Sequence, residues 1–476
     1  MPNVFDPRIR TSEQMATEPA DGEEPDAFDP FRQFLALERD VLVLSVAMFA
    51  FSLGFQMTSR FLPEYLVALG GGGLVVGAYT TVGNVISAVY PYPGGAVSDR
   101  IGSRYALTVF GLLSTVGFAL WLVAPQLGAI SLFGATIPAW IWIFVGLFLA
   151  QAWKSFGLGA TFAVVKQATA PSKLAAGFAS TETFRRTAFL IGPVLAAALL
   201  GLHPDFTVSF QYVLGVAVLF GVLGTLAQHF LYDAGEDSIG GTFEGVDRIR
   251  ADLREMPDEL RPLLVGDTLV RFANGMVYAF FILVVTRFLD VGLATTLSTP
   301  LGTWAIDLSP AAFFGYLLGV EMAVALLVMV PAAKVAERVG LKPVVATGFL
   351  VYAVFPAMLI AAPASPAALI ALFAFSGLRF AGLPSHKALI VGPAERGAGG
   401  RVTGSYYLLR NVVVIPSGLL GGVLWEGLPN PLTGATLFEG SPTVAFGVAT
   451  AIGLAGTAYF VAFGEEFGPY ADGNGT

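Results

Sequence analysis

Gly95-Ala-Val-Ser-Asp99-Arg100-Ile-Gly102-Ser-Arg104 lies between two apolar runs, one beginning near Leu74 and the next near Tyr105. Its pattern is G-x-x-x-D-R-x-G-x-R. Small residues at Gly95 and Gly102 permit a tight turn between helices, and Asp99 beside a helix end can bind neighbouring helix termini or basic side chains. A decayed copy, Ala333-Lys-Val-Ala-Glu337-Arg338-Val-Gly340-Leu-Lys342, follows at an offset of 238, again between apolar runs. Ordinary loop charge needs basic residues but no carboxylate between the two glycines. Loop charge alone therefore does not explain the stretch, and its second copy points to a chain built as two similar halves.

The repeat extends outward from these loops. Asp40 and Arg60-Phe61-Leu62 recur 227 positions later as Asp267 and Arg287-Phe288-Leu289. Lys154 and Gly157 pair with Arg379 and Gly382 at an offset of 225, and Arg186 pairs with Arg410 at 224. The larger offset of the loop pair implies a longer connection between the seventh and eighth spans. Of the 476 residues, 55% are hydrophobic and 13% charged, against about 25% charged in an average soluble domain. Lipid is the expected solvent. Windows of about 20 apolar residues, the length that crosses a bilayer, begin near Val41, Leu74, Tyr105, Ala139, Ala176 and Val208, then near Pro262, Ala311, Pro343, Pro366, Val402 and Val444. The chain has no Cys, which excludes disulfides, thiolate metal sites and cysteine nucleophiles.

Lys and Arg are retained on the cytoplasmic side of a membrane. The even-numbered loops carry Arg100, Arg104, Lys166, Lys173, Lys334, Arg338, Lys342, Lys387 and Arg396, whereas on the other side only Arg60 and Arg287 sit near helix ends. This predicts a multi-pass protein of the plasma membrane with both termini cytoplasmic. Trp121, Trp140, Trp142 and Trp425 fall near the outer ends, where amphipathic rings favour the headgroup layer. Residues 1–39 read as a disordered acidic cytoplasmic tail without a signal peptide, 40–231 and 262–466 as six-helix bundles, 232–261 as a cytoplasmic linker with an amphipathic helix, and 467–476 as a second tail. The pI near 5.0 and the net charge of -8 suggest a halophile surface, since excess acid keeps proteins soluble in strong salt.

With two loop copies in register inside such a repeat, the chain resembles the major facilitator superfamily from about Asp40 to Phe463. The resemblance implies an all-α membrane protein of 12 transmembrane helices, in two six-helix bundles related by a pseudo-two-fold axis along the membrane normal. It also implies a midplane cavity formed mainly by the first, fourth, seventh and tenth spans, and rocking of the halves for alternating access. In the gating loops Gly95, Asp99, Arg100, Gly102 and Arg104 would stabilise one access state, with Glu337, Arg338 and Gly340 as the weaker counterpart. The fourth span holds Lys154-Ser-Phe-Gly157 where the family often has Arg and a Gly one position later. Its partner in the tenth is Arg379-Phe-Ala-Gly382. Gly192-Pro193 stands where the family's antiporters carry a Gly-Pro signature, with Ala188, Ala196 and Ala197 in place of flanking glycines. The match favours export by antiport.

A cation inside a spanning helix costs about 2.5–3.5 kcal/mol on insertion scales and is kept for a partner, cavity or substrate. Glu321, mid-way along the eighth span, likewise needs a partner or a proton. Glu182, Arg185 and Arg186 of the fifth span are its expected neighbours. Glu321, Lys154 and Arg379 are the candidates for substrate or ion coupling, together with Arg410. Asp267 and Arg271, one turn apart, form an expected structural pair. Partners are then a small-molecule substrate, a coupling ion (proton or sodium) and the bilayer, with no nucleic acid and no cofactor, in a monomer. One rival reading is an importer of an organic anion drawn by Lys154, Arg186, Arg379 and Arg410. Another is a sensor that no longer moves solute. A membrane-embedded enzyme is disfavoured, because His203, His229 and His386 form no ligand-spaced cluster, and no P-loop signature is present.

Overall fold

The computed structural model describes residues 39–91, 97–98, 100–132, 135–156, 174–232, 257–299, 302–392, 399–429 and 436–466. Gly95, Asp99, Gly157, both tails and most of the linker lie outside the described residues, as do the side chains of Glu182, Arg185 and Arg186.

The first half runs α1 (Arg39–Thr58), α2 (Leu62–Ala68), α3 (Gly73–Val89), α4 (Ser103–Leu127), α5 (Ile141–Gln151), α6 (Leu174–Leu200) and α7 (Phe206–Leu231). The second runs α8 (Leu260–Val277), α9 (Pro310–Val339), α10 (Leu341–Ile360), α11 (Pro366–Gly377), α12 (Leu383–Val391), α13 (Gly399–Val414), α14 (Ser417–Glu426) and α15 (Pro442–Phe463). These are the apolar windows of the sequence, where an uninterrupted helix is the way a segment in lipid satisfies its own backbone. Their starts are locally encoded. Asp205 accepts from Val208 N at 2.9 Å and Ser309 from Ala312 N at 3.4 Å, while Pro310, Pro366 and Pro442 occupy first turns, where a missing N–H costs nothing.

Eight described helices are long and apolar enough to cross a bilayer, and a ninth forms if Leu42–Thr58 and Leu62–Ala68, bent by 46°, count as one. Gly73–Val89, Ile141–Ser155 and Thr187–Leu200 are shorter apolar helices in the remaining expected windows. Three antiparallel hairpins were not expected from sequence: β1 (Ile130–Leu132) with β2 (Ala135–Ile137), β3 (Leu293–Thr299) with β4 (Gly302–Leu308), and β5 (Gly427–Pro429) with β6 (Thr436–Glu439). The second of these is the long connection between the seventh and eighth spans. All three cap the same end of the bundle, called here the hairpin end. Trp121 departs from the interfacial expectation. It is 1% exposed in the first-half core and donates from Nε1 to Ile143 O at 2.9 Å.

Each half packs mainly within itself, and the two meet along two seams, α3 with α14 and α6 with α9. Glycines make these seams possible. A Cβ on Gly77 would lie 2.5 Å from Gly418 O, and one on Gly315 would lie 2.8 Å from Pro193 O. Gly192 sits against Gln56 of α1 and Gly382 against the Val344 carbonyl of α10. The Gly-Pro pair and Gly382 are thus close-approach positions.

Candidate functional site

A cavity of about 380 Å³ lies between the halves. The first half lines it with Gln56, Arg60, Asn84 and Lys154, among others, and the second with Tyr278 and Glu321. Gln56 and Asn84 give the cavity neutral polar groups. The helices are irregular at this level. A π-helical turn, Ala152–Phe156, carries Lys154, and 3₁₀ turns at Tyr278–Phe280 and Leu378–Phe380 carry Tyr278 and Arg379. Such turns re-aim side chains and often mark functional positions. Lys154 is exposed to the cavity with its Nζ 5.7 Å from the Phe55 ring.

Glu321 has a partner from within its own half. Arg379 Nη2 donates to Glu321 Oε1 at 2.5 Å and Ser376 Oγ donates to Oε2 at 3.3 Å. The side chains are 1% and 2% exposed. The Arg of the repeat position, on the neighbouring tenth span, thus supplies a cation to Glu321; the side chains of the expected fifth-span neighbours Glu182, Arg185 and Arg186 lie outside the described residues. Arg379 is ringed by Tyr352 and Phe380, both at 5.0 Å, and by Phe355 and Tyr278 at 5.8 and 6.0 Å. Its Nε and Nη1 have no acceptor among the described residues. Glu321 touches both the cavity and this cage, so it is the group through which the cavity can reach the second half's interior.

A second charged centre lies deeper in the same half. Asp267, fully buried, receives Arg271 Nε at 3.2 Å, Arg410 Nη1 at 3.1 Å and the Tyr406 hydroxyl at 3.2 Å. His386 Nε2 is 3.3 Å from the same carboxylate, near enough for an ion pair but without hydrogen-bond geometry. Arg271 Nη1 donates to the Tyr352 hydroxyl at 3.1 Å, and that ring belongs to the Arg379 cage. A void of about 10 Å³, the room of a single water, lies among Arg271, Tyr352, Arg379 and His386. Arg410 thus bonds helix to helix. The Asp267–Arg271 pair is present as expected, within a larger set. No group of three or more His, Cys, Asp or Glu residues able to hold a metal occurs among the described residues.

At the hairpin end the halves are fastened. Glu64 accepts from Arg287 Nη2 at 2.7 Å and from Thr286 Oγ1 at 2.8 Å. Glu426 accepts from Leu74 N at 2.5 Å, and Thr81 Oγ1 accepts from Leu419 N at 2.8 Å. At the opposite end, each of the following bonds joins elements of one half. Arg104 Nε donates to His229 O at 2.7 Å, tying α4 to the end of α7, and Glu466 accepts from Leu341 N and Lys342 N at 3.0 and 2.8 Å, tying the end of the chain to the start of α10. Arg100, Glu337 and Arg338 are exposed. Gly102 and Gly340 occupy matching places with φ of 84° and 93°, a backbone region essentially reserved for Gly.

Sequence reasoning passed over Arg60, Tyr278, Tyr352 and His386 as site residues. Only Arg60 left a signal, its repeat partnership with Arg287.

No family model matches the chain. It is 22% identical over 396 residues to an uncharacterised MFS-type transporter of Methanocaldococcus jannaschii, covering 83% of this chain and 90% of the relative. A 196-residue stretch, 41% of this chain and 42% of the relative, is 29% identical to a putative uncharacterised MFS-type transporter of Mycobacterium tuberculosis. Neither relative supports a halophilic origin. Among solved structures, the nucleoside transporter NupG superposes with a TM-score of 0.68 at 12% identity, over 89% of this chain and all of that one. That figure belongs to its D323A form; the unsubstituted protein scores 0.67 over 90% and 99%. The chain shares the fold of these proteins. A POT family transporter in complex with 5-aminolevulinic acid follows with a TM-score of 0.65 at 12% identity, over 91% and 99% of the two chains. The fold is thus an all-α, multi-pass membrane architecture.

Proposed function

We propose that this chain is a transporter of the major facilitator type, moving a small solute across the plasma membrane by rocking its two halves about the central cavity. The observation that carries the reading is the cavity itself. It is walled by both halves and fastened at the hairpin end by contacts between halves. With the termini cytoplasmic, 12 spans and the domain limits 40–231 and 262–466, this is a state open towards the cytoplasm. The named transporters among its relatives and fold neighbours support the same reading.

Coupling is assigned to Glu321 and Arg379, with the proton as the driving ion and export by antiport as the direction. A proton reaching Glu321 from the cavity neutralises the carboxylate and releases Arg379, so the pair can exist in two arrangements whose balance depends on protons and solute. Lys154, at the repeat-related position, faces the solute path. The test is solute-driven proton movement in sealed proteoliposomes. Glu321→Gln is expected to abolish proton-driven accumulation while solute exchange continues. Unchanged proton coupling in that variant overturns the assignment, and silence of the folded wild type across a broad solute panel overturns transport itself.

A further inference from the structure

The cavity takes two cations from the first half. Its described lining residues include Arg60 and Lys154 but a single carboxylate, Glu321, which is already neutralised by Arg379 behind it. Arg60 is the informative one. The repeat gives each half an Arg at this position, and Arg287 of the second half finds Glu64 of the first. The residue matching Glu64 at the same offset of 227 is Val291, so Arg60 lacks the acid that its twin has. Glu64 itself is occupied by Arg287 and Thr286. Among the described residues Arg60 has no carboxylate partner. It rests instead on an aromatic face, its guanidinium carbon 3.6 Å from the Tyr278 ring centroid.

We infer that the solute is a small organic anion with an apolar or aromatic body, its acid group held by the Arg60 guanidinium on the Tyr278 platform. This deepens the transport reading and rests on that cavity being the solute site. Stacking uses the face of a guanidinium and leaves its N–H edges, a planar fork that matches a carboxylate or phosphate. An anion offsets an uncompensated cation, whereas an amine adds to it and a neutral amide leaves it unpaired. Tyr79, Phe189, Phe314 and Phe380 supply apolar wall for the body, and Gln56 and Asn84 supply hydrogen bonds. The volume of about 380 Å³ lies near the small end of the roughly 300–1,000 Å³ typical of ligand pockets. Because Arg60 belongs to the first half and Tyr278 to the second, the acid group sits where the two halves meet.

The experiment varies charge on one ring. Benzoate, phenyl phosphate, benzamide and benzylamine are titrated against the purified full chain, with the thermal unfolding midpoint as readout, and then tested in proteoliposome counterflow. The expected result is stabilisation by at least one of the two anions, absent with amide and amine, weakened at least tenfold in apparent affinity by Arg60→Gln and partly kept by Arg60→Lys. Stabilisation by benzoate alone or by phenyl phosphate alone assigns the acid group. No preference for either anion over its uncharged and cationic counterparts overturns the proposal from the wild type alone, so a variant that fails to fold does not obscure the answer. Retention of anion affinity in a folded Arg60→Gln overturns it too. Anion binding that depends on Arg60 but yields no counterflow upholds the site and sinks the transport reading, whereas counterflow of amide or amine without preference for acid does the reverse.

Discussion

The two halves repeat a backbone but not a chemistry. In the first half, Lys154 stands on the cavity wall from a π-helical turn, and the one buried carboxylate among the described residues, Glu64, reaches across to the other half. In the second half, the matching cation Arg379 is withdrawn into an aromatic cage and paired with Glu321, with the Asp267 centre beyond it. A duplicated helix pair can therefore serve as wall in one copy and as charge store in the other. Burial sets the difference, since a cation sealed in a low-dielectric interior requires a counter-charge from within the fold.

The comparison breaks most visibly if the deep centre is cut. Asp267→Ala leaves Arg271 and Arg410 facing one another, and is expected to cost on the order of 3–5 kcal/mol, read as a large fall in the unfolding midpoint in detergent; a small fall would mean that the centre is wetter than its burial implies. Arg379→Met strands Glu321 and falls in the same range, about 3–5 kcal/mol, while the double change Glu321→Leu with Arg379→Met recovers most of that loss, because a buried pair replaced by apolar groups is close to neutral. Lys154→Met, the first-half counterpart, should shift the midpoint far less than Arg379→Met. Equal losses at the two positions would dissolve the asymmetry.

The gating loops sharpen the comparison in the other direction, because here the halves agree. Gly102→Ala and Gly340→Ala each place a Cβ where φ is strongly positive, at a cost of about 1–3 kcal/mol. The second should be the more damaging, since its Cβ would also press on the Glu466 carboxylate. Comparison of the two midpoints checks the order. The smallest effect is expected at the hairpin end. Arg287 is 47% exposed, so losing its bond to Glu64 is worth about 0.2–1 kcal/mol and shifts the balance of access states rather than the fold. The absence of native cysteines allows a clean readout at Ser59, which lines the cavity: Ser59→Cys should be labelled by a membrane-impermeant thiol reagent faster in Glu64→Gln than in the unaltered background. Equal rates would remove Glu64 and Arg287 from the closing contacts.

Much of the architecture was legible because the signals are local or periodic. Apolar runs, first-turn prolines and the repeated loop are one-dimensional patterns, and a helix in lipid satisfies its backbone within its own segment. The three hairpins escaped, since short strands that close a connection leave little periodicity. Trp121 escaped because its distance along the chain from a helix end says nothing about which face it turns inward. Glu321 announced itself as a charge in an apolar run, but its partner did not: Arg379 lies 58 positions away, and Arg185 and Arg186 looked equally suitable by depth.

The sequence by itself determined that this is a duplicated, helical membrane chain with costly charges at matched depths, because hydrophobicity, loop charge and internal repetition are properties of the chain order. Only the tertiary structure decided which charges neutralise one another, that Arg60 stacks on Tyr278 beside the cavity, and at which end the halves are fastened. Those outcomes depend on the rotation and approach of helices far apart in sequence, where a shift of a few ångströms separates an ion pair from two isolated charges.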